Sequence, residues 1–318
     1  MMAGDFASAS APASIGNVGV GFDILGQAFD AARDTVTAFR EEKPGVRLGS
    51  VSGLVATLPA DSGSNTALAA AEAVLSEARA PFGARLDIHK GVPVSAGMGG
   101  SAASAVAGAA AANALLEKPF TAEELLPFAL EGERAASDPP PWDNVVACLF
   151  GGLVLVASEK PLCVQRLQVP DGVTAVLLHP QAKVETRAAR AILKSEVPMA
   201  LAVEHSRRVG AFIAGCTTGN LDLVRAGLTD LLVEPQRVHL VPVLPQVQKA
   251  AREAGALGCS FSGSGPSIFA WASQAEAEAV EAAMMAAFTA AGIPARAYRA
   301  PAASEGVRVS GIGEQLAA

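Results

Sequence analysis

The spacing of apolar and polar residues predicts a chain of mixed strands and helices. Short runs rich in apolar and β-branched residues predict strands at residues 34–41, 46–48, 85–89, 145–150, 153–156, 173–179 and 295–299. Longer helix-forming stretches predict helices at residues 65–80, 101–116, 121–136 and 275–291, with several more between residues 188 and 254. Strands that alternate with helices in this way indicate an α+β protein.

Helix breakers and capping residues divide these elements. Thr121 followed by Glu124 forms a capping box at the start of the third predicted helix. The chain has 318 residues, which is long enough for two domains of ordinary size. The polar stretch at residues 158–168 predicts the boundary between them, with domains at residues 1–163 and 164–318.

Composition and charge narrow the classes of function. A net charge of −7 disfavours nucleic acid and anionic membrane surfaces as partners. The alanine-rich stretch at 102–116 is too short and too weakly apolar for a membrane span, so we expect a buried helix there. No basic region precedes an apolar run near the N-terminus, as a signal peptide would require. The chain has four widely separated cysteines: Cys148, Cys163, Cys216 and Cys259. We expect them to be small buried residues of a protein in a reducing compartment.

A glycine-rich segment precedes the second predicted helix. Residues 91–104 read GVPVSAGMGGSAAS, and Gly97, Gly99 and Gly100 leave the backbone open to a ligand and free to adopt positive φ angles. The N-terminus of a helix attracts anions because its first N–H groups lack partners and its dipole is positive there. A loop that leads into a helix in this way predicts a phosphate site.

Other interpretations of this loop stay open at this point. A Walker A loop would end in Gly-Lys-Ser/Thr, and the chain has no lysine between Lys90 and Lys118. A dinucleotide-binding fingerprint fits formally as GxGxxA over residues 97–102, although no acidic residue ends a following strand about twenty positions on. A tight turn that packs a helix on a sheet is the purely structural alternative.

Two further segments decide between these interpretations. Residues 12–26 read PASIGNVGVGFDILG and residues 259–271 read CSFSGSGPSIFAW. Together with the glycine loop, in this order and spacing, they resemble the GHMP kinase superfamily, which includes galactokinase, homoserine kinase, mevalonate kinase and phosphomevalonate kinase. The form NxGxGFD at residues 17–23 and EPQR at residues 234–237 are most similar to the homoserine kinases. The resemblance extends over nearly the whole chain.

The resemblance implies both a fold and a function. The fold is a two-domain α+β GHMP kinase fold, with a ribosomal-S5-like N-terminal domain, a ferredoxin-like C-terminal domain and the active site in the cleft between them. The activity is ATP-dependent phosphorylation of the L-homoserine hydroxyl to O-phospho-L-homoserine, a cytoplasmic step in threonine biosynthesis, with ATP and Mg²⁺ as cofactors. A homodimer is common among the proteins that this chain resembles.

The resemblance also assigns the nucleotide side of the site. Ser101 and Glu133 are expected to bind Mg²⁺, a hard cation that prefers oxygen ligands. Asn144 stands where related kinases carry a catalytic acid, so no general base is evident and Asp143 is only a weak candidate. We therefore expect transfer by alignment and charge stabilisation. The residues expected to bind ATP are Pro93, Val94, Ser95, Ala96, Gly97, Met98, Gly99, Gly100, Ser101, Ala102 and Ala103.

The acceptor side follows from the chemistry of homoserine, which carries a carboxylate, an ammonium group and a hydroxyl. Arg190 and Arg237 offer planar forks that can bind a carboxylate bidentately, and Asp23 can bind an amine. The expected acceptor-binding residues are Asn17, Asp23, Thr186, Arg190, Arg237, Gly263, Ser264 and Gly265.

One departure from the family pattern leaves an alternative acceptor open. Pro141 and Trp142 precede Asp143, where the family commonly has a histidine two positions before the aspartate. A GHMP kinase with another small hydroxylated acceptor is therefore the nearest alternative. A dinucleotide-dependent oxidoreductase and a ligand-binding protein without catalysis are alternatives from other classes.

Overall fold

Two β-sheets organise the chain, and the computed structural model describes residues 5–182, 184 and 186–313. The strands of this part of the chain are β1 (Phe6–Gly16), β2 (Leu25–Glu41), β3 (Val46–Gly53), β4 (Gly83–Lys90), β5 (Leu153–Glu159), β6 (Leu162–Leu167), β7 (Val173–Pro180), β8 (Gly258–Phe261), β9 (Ile268–Ser273), β10 (Ala295–Pro301) and β11 (Arg308–Gly313). Its helices are α1 (Thr66–Glu77), α2 (Gly100–Asn113), α3 (Ala122–Arg134), α4 (Trp142–Phe150), α5 (Thr186–Ala191), α6 (Met199–Thr218), α7 (Leu221–Gly227), α8 (Glu234–Arg237), α9 (Leu244–Glu253) and α10 (Ala277–Ala290).

The first sheet has the strand order β11-β1-β2-β4-β3, and β5 and β6 form a hairpin that joins it through β2. The long strand β2 pairs with β1 along most of its length, with β5 at Leu25–Gln27 and with β4 at Thr35–Glu41. Strands β3 and β4 are parallel, whereas the other pairs in this sheet are antiparallel. The glycine loop contacts this sheet, because the backbone N–H of Ser14 in β1 donates to the carbonyl of Met98.

The second sheet is antiparallel, with the order β10-β7-β9-β8. One face packs on α9 and α10 through a core that includes Val247 and Met284. The other face contributes Trp271 to the main core, where its ring lies 5.3 Å from that of Phe212. The indole Nε1 of Trp271 also donates a hydrogen bond of 2.8 Å to Oε1 of the buried Gln27 in β2, which ties the two sheets together.

The glycine loop is followed by the buried helix α2, as predicted. This helix packs against α1, α3, α4 and strands β1 and β2. Every residue from Ala102 to Asn113 is buried, and most of these residues are alanine. Small side chains let the helices approach closely: a Cβ at Gly108 would lie 2.4 Å from the carbonyl oxygen of Ala67 in α1. Close packing on all sides fixes the helix whose first turn borders the glycine loop.

Most predicted elements are confirmed, including the capping box of Thr121 and Glu124 at the start of α3. The predicted strand at 145–150 is wrong, because these residues belong to α4. Nearly all of them are buried, so the apolar run carries no periodicity that would distinguish a helix from a strand. The sequence pattern does not predict strand β1, since its alanines and serines have little β-propensity.

The predicted domain boundary after residue 163 falls inside β6, which pairs with β5 in the first sheet. The polar composition of this stretch reflects an exposed hairpin rather than a linker. Strand β11 also returns to the first sheet, where it pairs with β1. We therefore propose a first domain of residues 5–167 and 308–313 and a second of residues 173–301. The two connections lie side by side, because the backbone N–H of Ala302 donates to the carbonyl of Val173 at 3.0 Å.

The cysteines are all unpaired, and three of the four are buried as expected. Cys163 is the exception, because it lies on the exposed hairpin strand β6. None of the helices in the described ranges is both long enough and apolar enough to cross a membrane.

We expect Gly108→Ala to lower the free energy of unfolding by about 1–3 kcal/mol, because its methyl group would overlap the α1 backbone. Gly210→Ala is the matched control, since Gly210 lies in the exposed part of α6 and a Cβ there would have no other atom within 4 Å. It should raise the free energy of unfolding by about 0.5–1 kcal/mol. Urea denaturation measures both, and equal effects would contradict the proposed close contact.

Candidate active site

A cleft of about 800 Å³ lies between the two domains. Its walls are formed by the loop after β1, the glycine loop, the starts of α2 and α4, and the end of α3 from the first domain. Helices α5 and α8 and the turn between β8 and β9 contribute from the second. The three segments that carried the family resemblance therefore meet at one place.

The glycine loop adopts the backbone conformation that its composition predicts. Ser95, Gly97 and Gly99 have φ angles of 55°, 71° and 63°. Gly99 is the N-cap of α2 and offers no side chain to the first turn of the helix. The N–H groups at the start of α2 therefore have no side-chain cap, which leaves them suited to an anion.

Side chains would not fit at two of these glycines. A Cβ at Gly99 would lie 1.9 Å from Oγ of Ser14, and one at Gly97 would lie 2.6 Å from the carbonyl oxygens of Ser262 and Gly265. The loop therefore packs closely between β1 and the turn that connects β8 to β9 in the second domain. Of the predicted ATP-binding residues, those that line the cleft are Val94, Ser95, Ala96, Gly97, Gly99, Gly100 and Ser101.

The remaining predicted ATP-binding residues lie outside the cleft lining. Met98, Ala102 and Ala103 are completely buried and pack in the main core. Pro93 does not line the cleft either. Met98 still serves the loop through its backbone, because its carbonyl accepts a hydrogen bond of 2.9 Å from the N–H of Ser14.

The two predicted metal ligands lie together. Oγ of Ser101 donates a hydrogen bond of 2.6 Å to Oε1 of Glu133, and both residues line the cleft. Oε2 of Glu133 is buried without a hydrogen-bond partner. Burial raises the pKa of Glu133 to about 7, although the Ser101 hydroxyl and nearby Lys90 act in the opposite direction. A buried, unsatisfied carboxylate oxygen beside a hydroxyl fits the donor set that Mg²⁺ prefers.

Asp143 and Asn144 begin α4 and are held by hydrogen bonds. Oδ1 of Asn144 accepts from Oγ of Ser14 at 2.8 Å, and its Nδ2 donates to Oδ1 of Asp143 at 3.1 Å. The backbone N–H of Asn17 donates to Oδ2 of Asp143 at 2.9 Å. Burial, and then the charge of Asp23, raise the pKa of Asp143 to about 6. Asp143 thus anchors the loop after β1, while the orientation of the Asn144 amide is fixed.

Asp23 and Arg190 form a bidentate ion pair with distances of 2.7 and 2.8 Å. They were expected to bind opposite ends of the acceptor, yet they bind each other here. The physical reason is that unlike charges at this separation attract strongly unless other charges replace them. A zwitterionic ligand brings both replacements, since its ammonium can pair with Asp23 and its carboxylate with Arg190.

Arg237 is more deeply placed than its neighbour Arg190. It is 3% exposed, and its Nε donates to the carbonyl of Ala189 at 2.9 Å. Burial, followed by the nearby charge of Arg190, lowers its pKa. The ring of Phe22 lies 5.4 Å from the Arg190 guanidinium and 5.3 Å from that of Arg237, within the range of cation–π attraction. The two guanidinium groups therefore lie near one aromatic ring, and the carboxylate of Asp23 pairs with the guanidinium of Arg190.

The glycine turn of the second domain contacts both loops of the first. Nδ2 of Asn17 donates to the carbonyl of Gly263 at 2.9 Å, and the N–H of Gly263 donates to the carbonyl of Gly16 at 3.1 Å. The hydroxyls of Ser262 and Ser267 each donate at 2.6 Å to carbonyls of the glycine loop. The turn thus joins the loop after β1 to the glycine loop.

Of the remaining predicted acceptor-binding residues, some line the cleft and others do not. Gly263 and Ser264 line the cleft, whereas Gly265 packs near Phe261 and Val241 and does not. Thr186 is the first residue of α5, one turn before Arg190, and its side chain lies outside the described part of the structure.

Several residues of the site have no role in the sequence-based prediction. Ser14, Ser262 and Ser267 lie within the quoted motifs, but a serine hydroxyl can serve many partners, so residue type alone assigns them nothing. Lys90 and Asp34 form a buried pair beneath the glycine loop. In β4 apolar and polar residues alternate, and a lysine at the position that continues the buried set Ala84, Leu86 and Ile88 is the signal that could have indicated Lys90.

Comparison with known proteins agrees with this geometry. Models of the GHMP kinases N terminal domain and of the GHMP kinases C terminal match residues 65–152 and 212–290. A homoserine kinase of Xylella fastidiosa (strain 9a5c) is 45% identical over 304 residues, which cover 95% of this chain and 94% of the relative. A homoserine kinase of Chlorobaculum tepidum is 38% identical, over 94% of this chain and 96% of the relative. The crystal structure of homoserine kinase from Cytophaga hutchinsonii ATCC 33406 has a TM-score of 0.93 and 40% identity, and the match covers 98% of this chain and 99% of that one.

The chain belongs to the homoserine kinase family of the GHMP kinase superfamily.

Membership of this family confirms the expected class of fold and activity. The two-domain α+β GHMP kinase fold is the observed one, and the strand order of the second sheet is that of a ferredoxin-like domain. The chain is a kinase of the GHMP class, and the interpretation as a dinucleotide-dependent oxidoreductase is excluded.

We expect the stability of the protein without nucleotide and metal to depend on pH through Glu133. Its pKa is raised in the folded state, so the folded protein binds the extra proton and loses stability as pH rises from about 4.5 to about 7. Glu133→Gln removes this loss, which is on the order of 3 kcal/mol.

Urea denaturation at pH 5 and pH 8 measures this difference. The gap between wild type and Glu133→Gln should move in favour of the variant at the higher pH. Glu131→Gln is the matched control, because the side chain of Glu131 in the same helix is 63% exposed. A gap that is the same at both pH values would show that Glu133 carries no raised pKa.

Proposed function

We propose that this protein transfers the γ-phosphoryl group of ATP to the hydroxyl of L-homoserine and releases O-phospho-L-homoserine and ADP. The observation that carries the proposal is the meeting, in one cleft, of a phosphate loop with a cluster of two arginines and an aspartate. This cluster has the charges that a small amino acid needs. The reaction is a step toward threonine.

The nucleotide phosphates would bind at the glycine loop through its backbone N–H groups and the first turn of α2. Ser101 and Glu133 would hold Mg²⁺, which neutralises phosphate charge when bound. Because the loop also contacts Ser262 and Ser267, its position relative to the acceptor side is set by the second domain. Phosphoryl donor and acceptor are therefore positioned by one shared contact.

The acceptor would bind with its carboxylate at Arg190 and Arg237 and its ammonium at Asp23. Both arginines lie near Phe22, so a carboxylate can reach two guanidinium groups. Asn17 joins this loop to Gly263 and can orient the acceptor through its amide. The hydroxyl end of the molecule is then directed toward the phosphate loop.

The transfer step would depend on positioning rather than on a general base. Asn144 is neutral and cannot hold the hydroxyl proton, while both carboxylate oxygens of Asp143 already accept N–H groups. In this scheme the hydroxyl oxygen attacks phosphorus, the bond to ADP breaks, and the proton leaves late, to the transferred phosphate. Catalysis then comes from alignment and charge stabilisation.

The cellular setting and assembly are part of the proposal. Four unpaired cysteines support a reducing compartment, and we place the enzyme in the cytoplasm. The homodimer suggested by the family resemblance stays a prediction.

We expect Arg190→Ala to raise the KM for homoserine about ten- to a hundred-fold while the KM for ATP stays nearly constant. The carboxylate is remote from the transferring phosphate, so its contacts contribute mainly to binding of the acceptor. Arg190→Lys should restore only part of the affinity, because an ammonium cannot form the bidentate pair. A coupled assay of ADP release measures the KM for both substrates in each variant.

The control for this experiment is Arg207→Ala, an exposed arginine of α6 outside the cleft. A panel of acceptors in the same assay tests the substrate itself: homoserine methyl ester and 3-aminopropan-1-ol lack the anion and should be poor substrates for wild type. If another hydroxylated acceptor exceeds homoserine, the assignment of the substrate is wrong. If Arg190→Ala instead loses ATP affinity, the acceptor site is misplaced.

We expect Asn144→Ala to lower kcat about ten-fold, because it removes orientation only. Loss of a true general base would cost about 10²- to 10⁴-fold. Ser14→Ala should lower kcat in the same direction by less, since it frees the Asn144 amide without removing it. Steady-state kinetics at saturating ATP distinguish these cases. A fall to the background rate with homoserine binding intact would overturn the mechanism without a base.

A further inference from the structure

A buried ion pair lies beneath the phosphate loop and takes no part in the mechanism described above. Lys90 is the last residue of β4, and Asp34 lies opposite it in β2. Their side chains are 4% and 0% exposed. Burying two charges is costly unless each is fully paired and hydrogen-bonded. The partners of this pair therefore indicate why the fold retains it.

Every partner of the pair belongs to the phosphate loop or to the helix that follows it. Oδ1 of Asp34 accepts from the backbone N–H groups of Gly91 and Val92, both at 3.0 Å. Nζ of Lys90 donates to Oδ2 of Asp34, to the carbonyl of Gly100 at 2.9 Å and to Oγ of Ser104 at 2.9 Å. Asp34 thus holds the start of the loop and also accepts a hydrogen bond of 2.7 Å at Oδ2 from Oγ of Ser104 in α2, while Lys90 holds the end of the loop.

Lys90 differs in this respect from a lysine that binds phosphate directly. Its ammonium group has three N–H donors, and all three are used within the protein. The side chain borders the cleft, yet it has no donor left for a ligand. Its positive charge is balanced by Asp34, so it adds little net attraction for a nucleotide. Its effect must therefore pass through the loop that it holds.

We propose that Lys90 and Asp34 are positioning residues that hold both ends of the phosphate loop and so keep its N–H groups in the conformation that binds nucleotide. The proposal rests on the proposed function only in assigning ATP phosphates to this loop. Three residues between the two anchors have positive φ angles, and two of these are glycines that would gain most from disorder. Fixing the ends before the ligand arrives lowers the cost of ordering on binding.

The double variant Lys90→Met/Asp34→Asn tests the proposal. The side chain introduced by Asp34→Asn keeps an amide oxygen that can accept from Gly91 and Val92, so the start of the loop stays anchored. The bond from Lys90 to Gly100 is lost, and no unpaired charge is left in the core. We expect the Kd for ADP, measured by calorimetry, to rise roughly ten-fold or more, while the Kd for homoserine stays within about two-fold.

The matched control is Arg33→Met/Asp30→Asn, the same kind of exchange at a partly buried ion pair on β2. It should lower thermal stability without changing the Kd for ADP. Hydrogen exchange provides a second measurement: the amides of Gly97–Gly100 should exchange faster in Lys90→Met/Asp34→Asn, whereas those of α9 should not. A general loss of stability would not produce this local pattern.

Each outcome bears on the proposal. A folded Lys90→Met/Asp34→Asn variant that binds ADP as wild type does would overturn it, as would equal losses for ADP and homoserine. If the double variant does not fold, Lys90→Arg, which keeps the charge but cannot keep the same three bonds, must show the same selective loss for ADP. These readouts do not depend on turnover, so they stand even if wild type fails to phosphorylate homoserine, a result that would refute only the proposed function.

Discussion

The cleft depends on the close approach of two glycine turns, one from each domain. Gly97 lies so near the second turn that a Cβ there would be 2.6 Å from the carbonyl oxygens of Ser262 and Gly265. The serine hydroxyls of this turn donate to carbonyl groups of the glycine loop, and the backbone N–H of Ser267 also donates to the carbonyl of Ala96. The position of the glycine loop relative to the second turn is thus fixed by close backbone packing and by short hydrogen bonds from buried serines.

Charge is distributed unevenly along this cleft. Asp23, Glu133 and Asp143 are carboxylates, and two of them have pKa values raised by burial. The ammonium of Lys90 is paired with Asp34 beneath the glycine loop. Arg190 and Arg237, in contrast, lie together near the ring of Phe22. The charge of Asp143 contributes to the raised pKa of Glu133, so a positive charge bound near Glu133 would favour its ionised form.

The parts of the site that could be predicted from the sequence are those in which function demands a local pattern. The glycine loop and the NxGxGFD segment are each a continuous stretch, so the sequence alone shows them as motifs. The bidentate pair of Asp23 and Arg190 joins residues 167 positions apart, and only the folded chain shows that they bind each other. The same holds for Asp34 and Lys90, 56 positions apart. Residues 145–150 are helical although the sequence predicts a strand, because nearly all of them are buried and the run shows no polar face.

The two connections between the domains have a mechanical consequence. One precedes β7 and the other follows β10, and they are joined by the hydrogen bond from Ala302 to Val173. Gln27 strengthens this junction, because its Nε2 donates to the carbonyl of Ala302 and its Oε1 accepts from Trp271. Rotation about an axis through this junction is the rigid-body motion that stretches neither connection. Sliding of one domain along the other would strain both, and a rotation that opens the cleft would have to break the bonds from Ser262 and Ser267 to the glycine loop.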